Sequence, residues 1–110
     1  MDEILHITTA TEWHRAVEAE VLAPASLATE GFIHCCTRDQ LTGVLDRFHP
    51  NRDGLVVLRL DVSQLDSELR WEAPSHPDGT PNTSVETSLR FPHIYGPIAT
   101  AAVVSVEAPG

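Results

Sequence analysis

The sequence predicts an α+β fold of five or six short strands with two main helices, and three observations lead to it. Two capping-box patterns, Thr9 with Glu12 and Thr37 with Gln40, each precede apolar residues at spacings of three and four. Between them and after them lie short β-branched segments separated by Gly, Pro, Asn and Asp. Three of those segments, Ile4–Thr8, Phe32–Cys36 and Phe91–Pro97, carry a histidine near their centre.

Ile4–Thr8 alternates as a strand does, so Leu5 and Ile7 share one face while His6 and Thr8 share the other. The Thr9 box opens a helix through Trp13, Ala16, Val17 and Val21, which Pro24 is expected to end. Ala23–Gly31 is expected to be a connection, with Gly31 supplying a positive φ. The following strand, Phe32–Cys36, places Phe32, His34 and Cys36 on one face and Ile33 with Cys35 on the other. The Thr37 box then starts a helix carrying Leu41, Val44, Leu45 and Phe48, and it stops near His49-Pro50 because proline disfavours helical backbone before it.

Asn51–Gly54 reads as a turn. Leu55–Asp61, nearly all apolar, is expected at the centre of a sheet and covered on both faces. Val62–Leu65 fits one helical turn and Leu69–Ala73 a strand carrying Trp71 and Glu72. Pro74–Ser88 has the composition of a long loop. The prolines of Phe91–Pro97 are expected to confine that strand to an edge or an irregular stretch, and Ile98–Val106 closes the chain as a strand.

With 110 residues, 42% of them hydrophobic, the chain is expected to form one domain over residues 1–110. The formal net charge is −9, and its seven basic residues are scattered arginines, which argues against a nucleic-acid surface. No apolar run approaches the roughly 20 residues a membrane span needs. The acidic start Met1-Asp2-Glu3 is unlike a secretory signal, so a cytoplasmic location is expected. Cys35 and Cys36 are adjacent, which disfavours a disulfide between them, and both are expected to be free thiols.

The chemistry-bearing residues are His6, His34 and His93, each with a polar or aromatic companion on its own strand face, and together they predict a polar cleft for a small molecule. No Cys-x-x-Cys or His-Glu-x-x-His occurs, so no metal is assigned, although these three histidines would be its ligands. Cys36 lies beside a helix start that would favour a thiolate, but it is read as a small buried filler rather than a nucleophile. Glu72, embedded in a predicted strand, is expected to be exposed or paired with an arginine. His14, His49 and His76 are expected at the surface.

The segments His6-Ile7-Thr8, Trp13, Ser26-Leu27, Glu30-Gly31-Phe32-Ile33-His34, Gln40, Arg47-Phe48 and Phe91-Pro92-His93-Ile94-Tyr95-Gly96-Pro97-Ile98 resemble the DUF952 family of small, mainly bacterial proteins. That resemblance implies an ADP-ribosyltransferase-like fold, a split β-structure with a cleft for NAD or a related nucleotide. It implies that His6 holds a ribose hydroxyl, that Thr8 helps seat the ligand, and that Phe32 or His34 walls the nicotinamide site. Cys36 stands where many members carry serine. Many transferases of that fold use a glutamate on a late strand to stabilise an oxocarbenium-like transition state, whereas the corresponding strand here offers His93 and Tyr95. A protonated histidine there would oppose the developing positive charge. The histidine-dependent RNA 2′-phosphotransferases of the same fold work without that glutamate, but Leu5 stands where they carry an arginine before the first histidine. The implied function is therefore an ADP-ribosyltransferase-like or phosphotransferase-like reaction with His34 and His93 as catalytic residues and His6, Thr8, Phe32 and Tyr95 binding the nucleotide. The alternative is a non-catalytic module that binds a small metabolite in the same cleft.

Overall fold

The computed structural model describes residues 3–73 and 90–109. In chain order these form β1 (Glu3–Thr9), α1 (Ala10–Ala19), β2 (Val21–Leu22), α2 (Ala25–Glu30), β3 (Ile33–His34), α3 (Arg38–Phe48), β4 (Leu55–Asp61), β5 (Glu68–Glu72), β6 (Phe91–Tyr95), β7 (Ile98–Ala99) and β8 (Val103–Glu107). Single 3₁₀ turns at Val62–Gln64 and Thr100–Ala102 complete the set. The class is α+β, with three α-helices among the described residues where two main helices were expected.

The strands are antiparallel and fall into a three-stranded sheet β1-β4-β8, a two-stranded ribbon β2-β7 and a second three-stranded sheet β3-β6-β5. β4 is central to the first sheet, as its apolar run predicts. Alternation divides the core into two clusters. Ile4, Leu58 and Leu60 pack with Ala16, Ile33 and Ile94, while Leu5 and Val57 pack with Cys36 and with Leu41 and Val44 of α3. Each fully buried aliphatic side chain, such as Ile4, Leu5 or Ile94, contributes about 1.5–3 kcal/mol on transfer from water. Among the described residues no helix is long and apolar enough to cross a membrane.

Both capping residues act as expected. Thr9 accepts from the Glu12 amide, and Thr37 and Gln40 form the full reciprocal box, with Thr37 Oγ1 accepting from the Gln40 amide and Gln40 Oε1 from the Thr37 amide. The end of α1 differs. Glu20 adopts φ 63°, and its amide donates to the carbonyls of Ala16 and Val17. This left-handed residue turns the chain so that Val21 and Leu22 leave the helix and pair with Ala99 and Ile98. Pro24 therefore does not end α1 but stands in extended conformation at the entrance to α2, the helix within the expected connection. Gly31 closes α2 at φ 89°.

Two further expectations are corrected. β6 is the central strand of its sheet rather than an edge. Pro92 is tolerated because its carbonyl still accepts from the Cys35 amide, 3.1 Å away, while regular β3 pairing covers only Ile33 and His34. The missing proline N–H thus falls just past the ladder's end. The expected Ile98–Val106 strand is split into β7 and β8 by the 3₁₀ turn at Thr100–Ala102, which buries Ala102. The Pro74–Ser88 loop expectation lies outside the described residues.

Candidate functional site

The two larger sheets meet at one bridge. Leu5 and Cys36 exchange amide-to-carbonyl hydrogen bonds of 2.8 Å each. Beyond it the chains separate, and the His6 ring reaches across, its Nδ1–H donating to the His34 carbonyl at 2.7 Å. A cavity of about 330 Å³ opens at this seam. His6, His34, His93 and Glu30 line it together with the apolar Leu5, Ile7, Val44 and Phe91, and Ser26, Phe48 and His49 contribute further wall.

Strand register explains the polar side. His34 pairs opposite His93 across β3 and β6, while Arg70 pairs opposite His93 and Glu72 opposite Phe91 across β6 and β5. Alternation then puts His34, His93, Tyr95, Arg70 and Glu72 on one face and turns Ile33, Ile94 and Leu69 into the core. On that face Glu72 Oε1 accepts from His93 Nδ1–H at 2.9 Å and from the Tyr95 hydroxyl at 2.5 Å. The Arg70 guanidinium lies 4.4 Å from the Tyr95 ring centre and donates to Glu68. Phe32 stacks on His93 at 4.2 Å and 23°, with His34 tilted against it at 4.8 Å. The Ser26 hydroxyl holds the Phe32 carbonyl at 2.9 Å.

These partners define the imidazole tautomers. A backbone carbonyl and a carboxylate only accept, so Nδ1 carries the proton in both His6 and His93. Each neutral ring then presents its Nε2 lone pair. Both rings line the cavity. Burial lowers the His6 pKa, and burial also lowers that of His93 despite the opposing pull of Glu72. Both favour the neutral form at pH 7. Hydrogen bonds from Tyr95 and then His93 hold the Glu72 carboxyl below the usual range, so it is ionised there. The result is a carboxylate–imidazole pair at the cavity wall, the pairing that general bases use.

The structure brings His6, His34 and His93 to one cavity. His34 is the most open of the three, and its Nε2 meets Glu30 at 3.1 Å. Thr8, Phe32 and Tyr95 do not line the cavity. Thr8 donates to Glu12 at 2.8 Å and ties β1 to α1, Phe32 supports the histidine rings, and Tyr95 bonds Glu72. Arg70 hydrogen-bonds Glu68, and its charge reaches Glu72 only as a smaller influence beside the Tyr95 and His93 bonds. His49 lines the cavity rather than standing apart on the surface. Both cysteines are buried, and burial pushes the Cys36 thiol up to about 11 and that of Cys35 higher still. Among the described residues no three His, Cys, Asp or Glu side chains are placed to hold a metal ion.

A family model described as "Protein of unknown function (DUF952)" matches residues 7–106. Among solved structures, the crystal structure of protein CC0527 from Caulobacter crescentus is similar with a TM-score of 0.74 and 26% identity, over 94% of this chain and 82% of that one. The solution structure of CC0527 is similar in fold, with a TM-score of 0.66 and 24% identity over 98% and 84% of the two chains. A comparison with curated proteins gave no match. The family model spans nearly all of the chain, including His34, His49 and His93 of the cavity wall, and the chain belongs to the DUF952 family.

Proposed function

We propose that the cavity binds the ribosyl portion of NAD or a related nucleotide, and that His93, backed by Glu72, engages the sugar in an ADP-ribosyltransferase-like manner. The observation that carries this is the His93–Glu72 pair, with Nδ1 on the carboxylate and the His93 ring in the cavity wall. In transferases of that fold a carboxylate contacts a ribose hydroxyl; here the carboxylate stands one side chain back and the imidazole takes the contact. Burial favours neutral His93, so it accepts from a hydroxyl without setting a positive charge against an oxocarbenium-like centre. The ionised Glu72 behind it adds stabilising negative potential. In the transfer step the C1′–N bond breaks with its electron pair leaving on nicotinamide. A water or alcohol oxygen bonds to C1′, and its proton passes to His6 Nε2.

A second reading, a binding module without turnover, is favoured by the absence of Glu72 from the cavity wall. Thermal denaturation with NAD, ADP-ribose and nucleosides, followed by nicotinamide release from wild type, His93→Ala and His34→Ala, separates the two. A ligand at about a hundred times its dissociation constant adds about 2.7 kcal/mol of stability. A shift with release that His93→Ala abolishes is the expected result. A shift without release selects the binding module, and no shift with any of these compounds overturns the ribosyl site.

A further inference from the structure

Resting on the ribosyl reading of this cavity, we infer that its ligand class is the nucleoside, a ribose bearing a planar base, and that a phosphate on the sugar weakens binding.

Phosphate sites are built from arginine, lysine or uncapped helix amides. No arginine lines this cavity, and the chain contains no lysine. Arg38 is held by Glu3 and Glu107, Arg52 by Asp46 and Arg70 by Glu68. Arg47 lies against the Phe48 ring, its guanidinium carbon 5.5 Å from the ring centre. The first turn of α3 begins close to Cys36, but the Thr37–Gln40 box already engages the Gln40 and Thr37 amides.

The groups that do line the cavity select against phosphate. Glu30 contributes a carboxylate, and the whole chain carries −9. The Nε2 atoms of neutral His6 and His93 are acceptors, as are phosphate oxygens, so the two would meet lone pair to lone pair. Sugar hydroxyls, in contrast, donate. Leu5, Val44 and Phe91 add apolar wall that matches the face of a base. The volume, about 330 Å³, lies near the lower end of the roughly 300–1,000 Å³ typical of ligand sites. It suits one nucleoside rather than a dinucleotide, whose pyrophosphate would remain outside.

Isothermal titration calorimetry of the full chain at pH 7.5 with nicotinamide riboside, adenosine and their 5′-monophosphates tests this. Each nucleoside is expected to bind at least about tenfold more tightly than its monophosphate, a margin of about 1.4 kcal/mol. Glu30→Gln is expected to narrow that ratio by removing the carboxylate from the wall. A monophosphate that binds as tightly as its nucleoside, or more tightly, overturns the phosphate-free class while leaving the ribosyl site standing. Failure of all four compounds to bind overturns both.

Discussion

Replacing Glu72 with glutamine keeps an acceptor beside His93 and Tyr95 but removes its charge. In the wild-type protein burial holds the His93 pKa below its ordinary value, with Glu72 pulling in the opposite direction. Without the carboxylate, burial is opposed less, so the His93 midpoint in an imidazole NMR titration moves further down. A buried histidine whose folded pKa lies below the unfolded value of about 6.5 contributes stability that is complete above that pH and is lost as pH falls through it. The variant's deficit therefore widens between pH 8 and pH 5. At pH 8 only the weakened hydrogen bonds remain, a loss of about 1 kcal/mol, since bonds to charged groups are worth roughly 1.5–3 and neutral ones roughly 0.5–1.5. Glu72→Ala leaves the His93 N–H, whose side chain is 5% exposed, without its partner and costs about 1–3 kcal/mol. The lower end applies, because the Glu72 side chain is 36% exposed and water can enter. Urea denaturation at several pH values reads the stabilities. A His93 midpoint that stays fixed or rises in Glu72→Gln, with a deficit independent of pH, would refute the pairing.

Three further outcomes are expected. The wild-type protein loses stability as pH falls through about 6.5, because both His6 and His93 are buried with lowered pKa values, and stability unchanged between pH 8 and pH 5 would contradict that burial. Neither cysteine reacts with a thiol reagent at pH 7 in the folded state, and both react in urea; rapid labelling of native protein would show that Cys36 is neither buried nor held near 11. Thr37→Ala costs about 1 kcal/mol by opening the α3 cap, while Thr37→Ser retains most of it, and equal losses for the two in chemical denaturation would deny the capping bond.

Local rules made much of the frame legible. Thr9 and Thr37 announce their helices because a capping box is a property of neighbouring residues, and both caps form. Alternation placed Ile33 and Cys35 in one core cluster and Cys36 in the other, as the strand period requires, even though β3 itself ends at His34. Glu20 carried no such signal: a left-handed non-glycine residue is set by the pull of the β2-β7 pairing, which depends on residues nearly 80 positions away.

The site divides in the same way. His6, His34 and His93 stand out as single polar residues inside apolar strands, and they share a cavity. From the sequence Glu72 reads as exposed or arginine-paired, and it is 36% exposed, but nothing near it in sequence names its partners His93 and Tyr95. Its bonds to His93 and Tyr95 follow from the β5–β6 register, in which Glu72 stands opposite Phe91 and so diagonal to His93. His49 likewise joins the cavity only because α3 packs beside β1. The exchange of Thr8 from ligand contact to tether depends on Glu12, one helical turn into α1, accepting its hydroxyl.

On the proposed reading, His6 and His93 are neutral, hold their protons on Nδ1 and offer Nε2 to a hydroxyl-bearing ligand. Long-range ¹⁵N–¹H correlation spectra of the imidazoles at pH 7.5, with and without nicotinamide riboside, measure this directly. Nδ1-protonated tautomers for both rings, with Nε2 resonances that move on adding the nucleoside, are predicted. Nε2-protonated rings, or resonances indifferent to saturating nucleoside, would contradict it.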